Sequence, residues 1–451
     1  MTEKEMQALF YANPAQHVYM LSTHGVHDWE VVPGLIDTGG QNIFVNQFAT
    51  ALAAREYKIT IINRGGYHHP VSGLMRRGLH YRSESLRLLF LEDGIPAFIR
   101  KEDMGDKIEP LAGSLSAFAE EEGLPIDLII SHYWDAAAIA ETFMEKMDLS
   151  VPHVWIPHSL GRIKKSNVPP STWGTLRIDE RISWEEELLS HLVLVGSTSP
   201  RITEALKDDY GYSGRVVWLP PCIDTGRFYP HVVAEDTPIW DVLREASGKT
   251  IATLRKKKII TEISRTDRTK RKDILIQAFA RIREIHTDAL LAITIDPARQ
   301  TQYKRLMDLI HDLGLREHVA VLGSVWDELP DLYAVTSIYC TPSIMEGFGM
   351  SAQEAASSAV PVVASTLVPF AVDYLFGEPG VFQEIGPDQH FLVGKGAVLV
   401  RPDDVDGFAL ALDLLLTDGE LLASMGEHAY LRTIPAFTWP RVVNAFLDEL
   451  K

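Results

Sequence analysis

The sequence predicts an α/β protein of two domains, each a parallel β-sheet with helices on both faces. Three observations predict it. Apolar runs of strand length alternate with amphipathic stretches of helix length along nearly the whole chain, the pattern of parallel sheets with covering helices. Glycine and polar residues gather repeatedly where the apolar runs end, which is where such sheets bind ligands. The 451 residues exceed one hydrophobic core, so two domains are expected.

The first domain opens with the strand Val18-Tyr-Met-Leu-Ser, with His24 and Gly25 at its end. The run Pro33-Gly-Leu-Ile-Asp37-Thr-Gly39-Gly40-Gln41-Asn42 then leads into a helix over 43–54, where Phe44, Phe48 and Leu52 share a face. A Gly-Gly pair at such a turn lets backbone N–H groups converge on an anion, although Asp37 or Thr38 can equally cap a tight turn there. Strands follow at 58–63 and within 76–100, the latter ending in Arg100-Lys101-Glu102. A helix is expected over 108–122. The strand 127–131 runs into His132-Tyr133-Trp134-Asp135 and a helix over 136–147. The strand from Val154 ends in His158-Ser159-Leu160-Gly161, with Lys164 and Lys165 beyond. A helix over 181–190 and strands beginning at 192 and 216 complete this half.

Residues 230–250 are polar and proline-bearing, and the linker is expected there. Ser247-Gly248-Lys249-Thr250 has the ending of a phosphate loop, but Leu243 stands where that motif needs glycine. The domains are therefore expected at 1–235 and 236–435, with the last helix, about 436–451, packing back onto the first. In the second domain, strand 258–264 runs into the basic turn Arg265 to Lys272 and a helix over 273–285. Cations at a strand's carboxyl end, beside a helix N-terminus, suit a diphosphate. Further strands are expected at 290–295 and 319–323, with helices at 301–313 and 329–334.

The stretch Glu346-Gly347-Phe348-Gly349-Met-Ser-Ala-Gln-Glu354 lies between the apolar run from Ile338 and the run Pro361-Val-Val-Ala. A glycine loop here opens a small-residue helix between two parallel strands. Glycine lets backbone approach a ligand closely. Two carboxylates placed eight residues apart can each accept hydrogen bonds from sugar hydroxyls at the two ends of a diphosphate. After the late strand 398–400, Asp404-Val-Asp406 has the spacing of an acidic metal pair. It immediately precedes a helix over 409–416, so capping is the better reading.

Composition narrows the function classes. A net charge of -18 argues against nucleic acid or an anionic membrane as the main partner. No stretch approaches the roughly 18 uncharged apolar residues of a membrane span, and the first residues do not read as a signal peptide. Two cysteines, Cys222 and Cys340, build neither a disulfide scaffold nor a zinc site and fit a reducing cytoplasm.

Over nearly its whole length the chain resembles the retaining, nucleotide-sugar-dependent glycosyltransferases of family 4, which have the GT-B fold. That fold pairs two Rossmann-like domains across an interdomain cleft. Arg265, Lys270, Glu346-Gly-Phe-Gly and Glu354 carry the general pattern. Asp37-Thr-Gly-Gly-Gln41, Ser131-His-Tyr-Trp-Asp135, His158-Ser-Leu-Gly161, Lys164 and Arg181 look like the subgroup of sucrose-phosphate synthases and their mannosyl-transferring relatives.

The resemblance implies a donor site of Gly40, Arg265, Lys270, Glu346, Gly347, Phe348, Gly349 and Glu354. Arg265 and Lys270 would grip the diphosphate, Glu346 the transferred sugar and Glu354 the ribose. His158 would lie between donor and acceptor. With Arg265, Lys270 and Glu346 it forms the expected catalytic group. Gly39, Gln41, Lys101, Tyr133, Ser159, Lys164 and Arg181 would bind the acceptor, expected to be a sugar phosphate. The co-substrate would be a uridine, guanosine or adenosine diphosphate hexose, and no metal or other cofactor is expected. The chain departs from the pattern in three places. The loop Thr366-Leu-Val-Pro369-Phe-Ala lacks the usual Gly-Gly pair, Cys222 follows Pro221 where many relatives have glycine, and Gly347 stands where sucrose-phosphate synthases usually have proline. A transferase with a neutral or glycerate-like acceptor, and a nucleotide-sugar-binding protein without turnover, are the alternatives these departures leave open.

Overall fold

The computed structural model describes residues 2–31, 35, 37–377 and 384–451. Pro33, Gly34 and Ile36 of the first glycine-bearing run lie outside the described residues. The chain forms two compact units: residues 1–221 with 439–451, and residues 222–438.

The first unit holds an eight-stranded sheet of β1 (Gln16–Leu21), β2 (Tyr57–Arg64), β3 (Gly78–Tyr81), β4 (Leu86–Leu91), β5 (Leu128–His132), β6 (His153–Ile156), β7 (Leu194–Ser197) and β8 (Arg215–Trp218). Its order is β3-β4-β2-β1-β5-β6-β7-β8, and every pair is parallel except β3 with β4. The central strands are buried along almost their whole length, as strands covered on both faces must be. The helix Gly40–Ala53 begins at the glycine pair, and Tyr133–Met147 begins where β5 ends. The last helix, Trp439–Glu449, belongs to this unit. Its Trp439 stacks on Phe48 at 5.6 Å between ring centroids, and Phe446 meets Phe48 edge-on at 5.3 Å.

The second unit holds β9 (Lys258–Glu262), β10 (Ala289–Thr294), β11 (Val319–Leu322), β12 (Thr336–Thr341), β13 (Val362–Ser365), β14 (Phe391–Val393) and β15 (Ala397–Val400), in the order β11-β10-β9-β12-β13-β15-β14. All pairs are parallel except β14 with β15. β9 and β12 are neighbours, so the basic turn after β9 and the glycine loop after β12 leave the sheet side by side.

The linker expected at 230–250 is a correction. That stretch contains the helix Pro238–Ser247, whose Ile239, Trp240 and Leu243 are buried in the second unit's core. Pro238 starts the helix, and Gly248, at φ +68°, ends it. The polar composition hid a three-residue apolar stripe. The crossing between units falls earlier, at Pro221/Cys222, because Ile223, Phe228 and Val233 already pack in the second core. Thr250 caps the next short helix by accepting from Thr253 N–H, so this sequence forms helix ends and no phosphate loop. Asp404 accepts from Gly407 N–H at 2.8 Å and caps Val405–Thr417. Helices at Glu3–Ala12, Pro200–Asp208 and Gly419–Thr433 were not read from the sequence. No helix among the described residues is long and apolar enough to cross a membrane.

Candidate functional site

In the second unit the chain leaves β9 through a turn capped by Asp267, which accepts from Thr269 N–H at 2.9 Å. Ile344 N–H donates to Thr269 C=O at 2.8 Å and ties this turn to the loop after β12. The tie brings Lys270 Nζ to 2.6 Å from Glu346 Oε1, with the two side chains only 9% and 19% exposed. Arg265 is not brought to them. Its side chain is 74% exposed and its nearest ion-pair partner, Asp267, is 3.9 Å away. Lys272 points the other way, into the sheet, where it pairs with Glu262 and donates to Ser264 C=O at 3.2 Å. Of the five cations between 265 and 272, the structure places only Lys270 against Glu346.

Gly349 opens the helix Met350–Ser357 at φ +102°, and a Cβ there would fall 2.8 Å from Val368 Cγ1. Both the conformation and the contact require glycine. Phe348 is buried against Phe370 and Phe437, at 5.4 and 5.9 Å, and so anchors the loop. Gly347 lies between that anchor and Glu346. Glu354 sits in the second turn of the helix, where Tyr333 O–H donates to its Oε2 at 3.2 Å. Burial pushes its carboxyl up to about 7 against the opposing pull of that hydrogen bond and of Arg227. Arg227 itself stacks on Trp326 at 4.2 Å.

The glycine-free loop satisfies its own backbone. Thr366 N–H donates to Val400 C=O, Leu367 N–H to Ser365 Oγ, Val368 N–H to Ser365 C=O and Phe370 N–H to Phe348 C=O. Pro369 has no N–H. These groups are therefore engaged within the protein, and Lys270 is the cation that stands beside Glu346.

In the first unit four of the expected acceptor residues line one recess: Lys101, Tyr133, Lys164 and Arg181. Ser159 joins them through Arg181, whose Nη2 donates to Ser159 C=O at 2.5 Å and to its Oγ at 3.1 Å. Arg181 also donates through Nε to Glu185 at 2.7 Å and through Nη1 to the Tyr133 hydroxyl. Every cation of the recess has a carboxylate partner. Lys101 meets Asp37, Lys164 lies 3.4 Å from Glu102, and Arg177 lies 2.7 Å from Glu180. The arrangement can hold an anion by exchanging partners. Burial lowers the Lys164 ammonium, as do Arg181 and Lys101 beside it, while Glu102 works the other way.

His158 adopts φ +54° and faces His132, Nε2 to Nδ1 at 2.9 Å. Burial pulls its pKa down to about 3, helped by the nearby charge of His24, so the imidazole is neutral and acts as a hydrogen-bonding group rather than an acid. Gln41 Nε2 donates to Ser22 Oγ at 3.3 Å. Gly39 N–H is taken by Asn42 Oδ1 at 2.9 Å, leaving the Gly40 turn as the open start of its helix.

Several neighbours were given no role in the site from the sequence. His24 donates to the fully buried Asp135 at 2.9 Å, and Asp135 also accepts from Thr23 O–H at 2.6 Å. Glu102 lines the recess, and Asp37 and Glu185 pair with its Lys101 and Arg181. Glu185 had a local signal for its pairing, standing four residues after Arg181 on one helix face. Ser131, His153 and Glu141 have the order of a nucleophile, base and acid, with Ser131 Oγ 2.7 Å from His153 Nε2. Ser131 is wholly buried in β5, so no substrate reaches it. Among the described residues no group of three His, Cys, Asp or Glu side chains is arranged to hold a metal ion.

Comparison with known proteins covers both units. The family described as Glycosyltransferase Family 4 matches residues 38–227, and the family described as Glycosyl transferases group 1 matches residues 245–432. A mannosylfructose-phosphate synthase of Agrobacterium fabrum is 27% identical, over 95% of this chain and 90% of its own length. The solved sucrose-phosphate synthase from Thermosynechococcus elongatus superposes with a TM-score of 0.75 at 22% identity, covering 96% of this chain and 99% of that one. A UDP-forming α,α-trehalose-phosphate synthase from Burkholderia xenovorans, solved with glucose-6-phosphate, gives a TM-score of 0.64 at 15% identity, covering 97% and 100%.

Proposed function

Because this chain belongs to the family 4 glycosyltransferases of the GT-B fold and is sucrose-phosphate synthase-like, we propose that it moves a hexosyl group from a nucleoside-diphosphate sugar to a sugar phosphate. The observation that carries this reading is the recess of Lys101, Lys164 and Arg181 beside Tyr133 and Ser159. Four cations around one recess, Arg177 being the fourth, in a chain of net charge -18, suit a phosphorylated acceptor.

The chemistry follows from the residues. Breaking the sugar–phosphate bond develops negative charge on the departing nucleoside diphosphate, and a fixed cation stabilises it most in the transition state. Lys270 is that cation, and Glu346 orients it while accepting from hydroxyls of the transferred sugar. Arg265, whose side chain is 74% exposed, is assigned to fold onto a bound diphosphate. Neutral His158 holds a hydroxyl by hydrogen bonding. We assign a retaining course, in which a departing phosphate oxygen takes the acceptor proton on the same face, so that neither a nucleophilic carboxylate nor a metal is required. We place the reaction in the cytoplasm.

Glu354 is assigned to the nucleotide ribose. Its pKa in the folded chain, about 7 against a model-peptide value of 4.5, means that folding favours the protonated form. Stability is therefore lost as pH rises through 7. Glu354→Gln should raise stability at pH 8 by about 1–2 kcal/mol yet weaken nucleotide binding by about tenfold. Thermal melting with and without nucleoside diphosphate, at pH 6 and 8, reads both effects.

The function is tested by incubating the protein with uridine, guanosine and adenosine diphosphate hexoses and a panel of sugar phosphates, and following nucleoside diphosphate release. No release with any phosphorylated acceptor would remove the proposal. A neutral acceptor is the second reading, favoured by the carboxylate partner beside each cation of the recess. Lys164→Ala separates the two. A phosphorylated acceptor should lose about tenfold or more in KM, whereas a neutral acceptor should be unaffected.

A further inference from the structure

We propose that Glu102 is the internal anion of the acceptor recess, occupying the place of the acceptor's phosphate until a phosphate displaces it. The inference rests on the sugar-phosphate reading above and names the residue that sets its affinity. Glu102 follows Lys101 in a short turn and is almost wholly buried. Its Oε1 lies 3.4 Å from Lys164 Nζ and 3.9 Å from Lys101 Nζ, and its Oε2 accepts from Arg100 Nη2 at 3.1 Å. One carboxylate thus faces three cations.

The other carboxylates of the region are committed elsewhere. Glu185 is held by Arg181, Gly161 N–H and the Tyr210 hydroxyl, and Asp37 accepts from both the side chain and the backbone N–H of Lys101. Glu102 has the longest ion-pair distances to the recess lysines, so it is the partner most easily exchanged.

Space points the same way. The recess has a volume of about 10 Å³, room for about one water molecule, and a phosphate group is several times larger. A phosphate that meets both lysines takes the position where Glu102 now lies against them. The exchange of one anion for another keeps the lysines charged and paired, whereas displacing a lysine would leave a buried charge uncompensated. An unphosphorylated sugar offers the lysines no replacement anion, so the Glu102 contact also discriminates against it.

The test measures binding of inorganic phosphate and of fructose 6-phosphate to the full chain by calorimetry, with circular dichroism and melting to establish folding. Glu102→Gln should bind both about fivefold or more tightly than the unaltered protein, since a competing charge is gone. Glu102→Asp, which keeps the charge but withdraws it by one methylene, should show a smaller gain and supplies a second variant if the first folds poorly. Equal or weaker binding in both variants, with the unaltered protein still binding phosphate, overturns the inference and makes Glu102 a residue that positions the lysines. Failure of every form to bind phosphate, with nucleotide binding intact, overturns the sugar-phosphate reading and the inference with it.

Discussion

Lys270→Ala should lower turnover by about 10²–10³-fold, the cost of removing one preorganised charge-stabilising group. Two changes act together. The cation assigned to the leaving diphosphate is lost, and the Glu346 carboxylate, 2.6 Å away in the folded chain, is left to repel the diphosphate. The backbone offers little compensation, because the N–H groups of Thr366, Leu367, Val368 and Phe370 are already engaged. Stability should also fall, because a carboxylate only 19% exposed is left without its counter-ion, but that loss by itself leaves the turnover of the folded protein unchanged. The paired measurement of nucleoside diphosphate release and thermal melting separates the effects. Turnover within threefold of the unaltered protein would show that Lys270 is not the stabilising cation. Lys270→Arg should recover part of the rate, because it returns the charge with a different shape.

Arg181→Ala should destabilise the first unit by about 3–5 kcal/mol, the cost of leaving one member of a buried pair without the other. Arg181 is 4% exposed, and its guanidinium joins Glu185, Tyr133 and Ser159 while lying over the Tyr133 ring at 4.3 Å. Glu185 is wholly buried and also accepts from Gly161 N–H at 2.8 Å. Without arginine its charge has no counter-ion. Glu185→Gln in the Arg181→Ala background should then restore part of the loss, which a double-mutant cycle in urea reads directly. A loss below about 1 kcal/mol would mean that the network does not hold this region together. Loss of activity in Arg181→Ala is consequently a poor measure of acceptor binding. Lys164→Ala is the better probe, because Lys164 is partly exposed and has a single long-range ion-pair partner at 3.4 Å.

Most of the architecture was legible because it is written in local periodicity. The helix expected over 108–122 is observed at Ile108–Glu122, and the apolar runs from Lys58 and Asp127 became β2 and β5. Where composition stood in for periodicity, the reading failed. Residues 230–250 are polar on average, yet Ile239, Trp240 and Leu243 are enough to bury one face of a helix. The candidate site was legible as a set of residue types at strand ends. The basic run 265–272 carried the expectation of an anion site, but its five cations were indistinguishable in sequence. In the folded chain Lys272 turns inward to Glu262, Arg265 extends into solvent and Lys270 alone meets Glu346.

What the amino-acid sequence determined by itself was two parallel α/β units, the glycine turns at their strand ends and the stock of charges those turns carry. What the tertiary structure alone decided was the partnership of those charges. Lys101 and Asp37 are 64 residues apart, Lys164 and Glu102 are 62 apart, and Lys270 and Glu346 are 76 apart. Helix and strand patterns arise between neighbours a few residues away and survive in the sequence as periodicity. Ion pairs between turns depend on which strands lie side by side and which way each turn leaves the sheet, and nothing local in the chain encodes that.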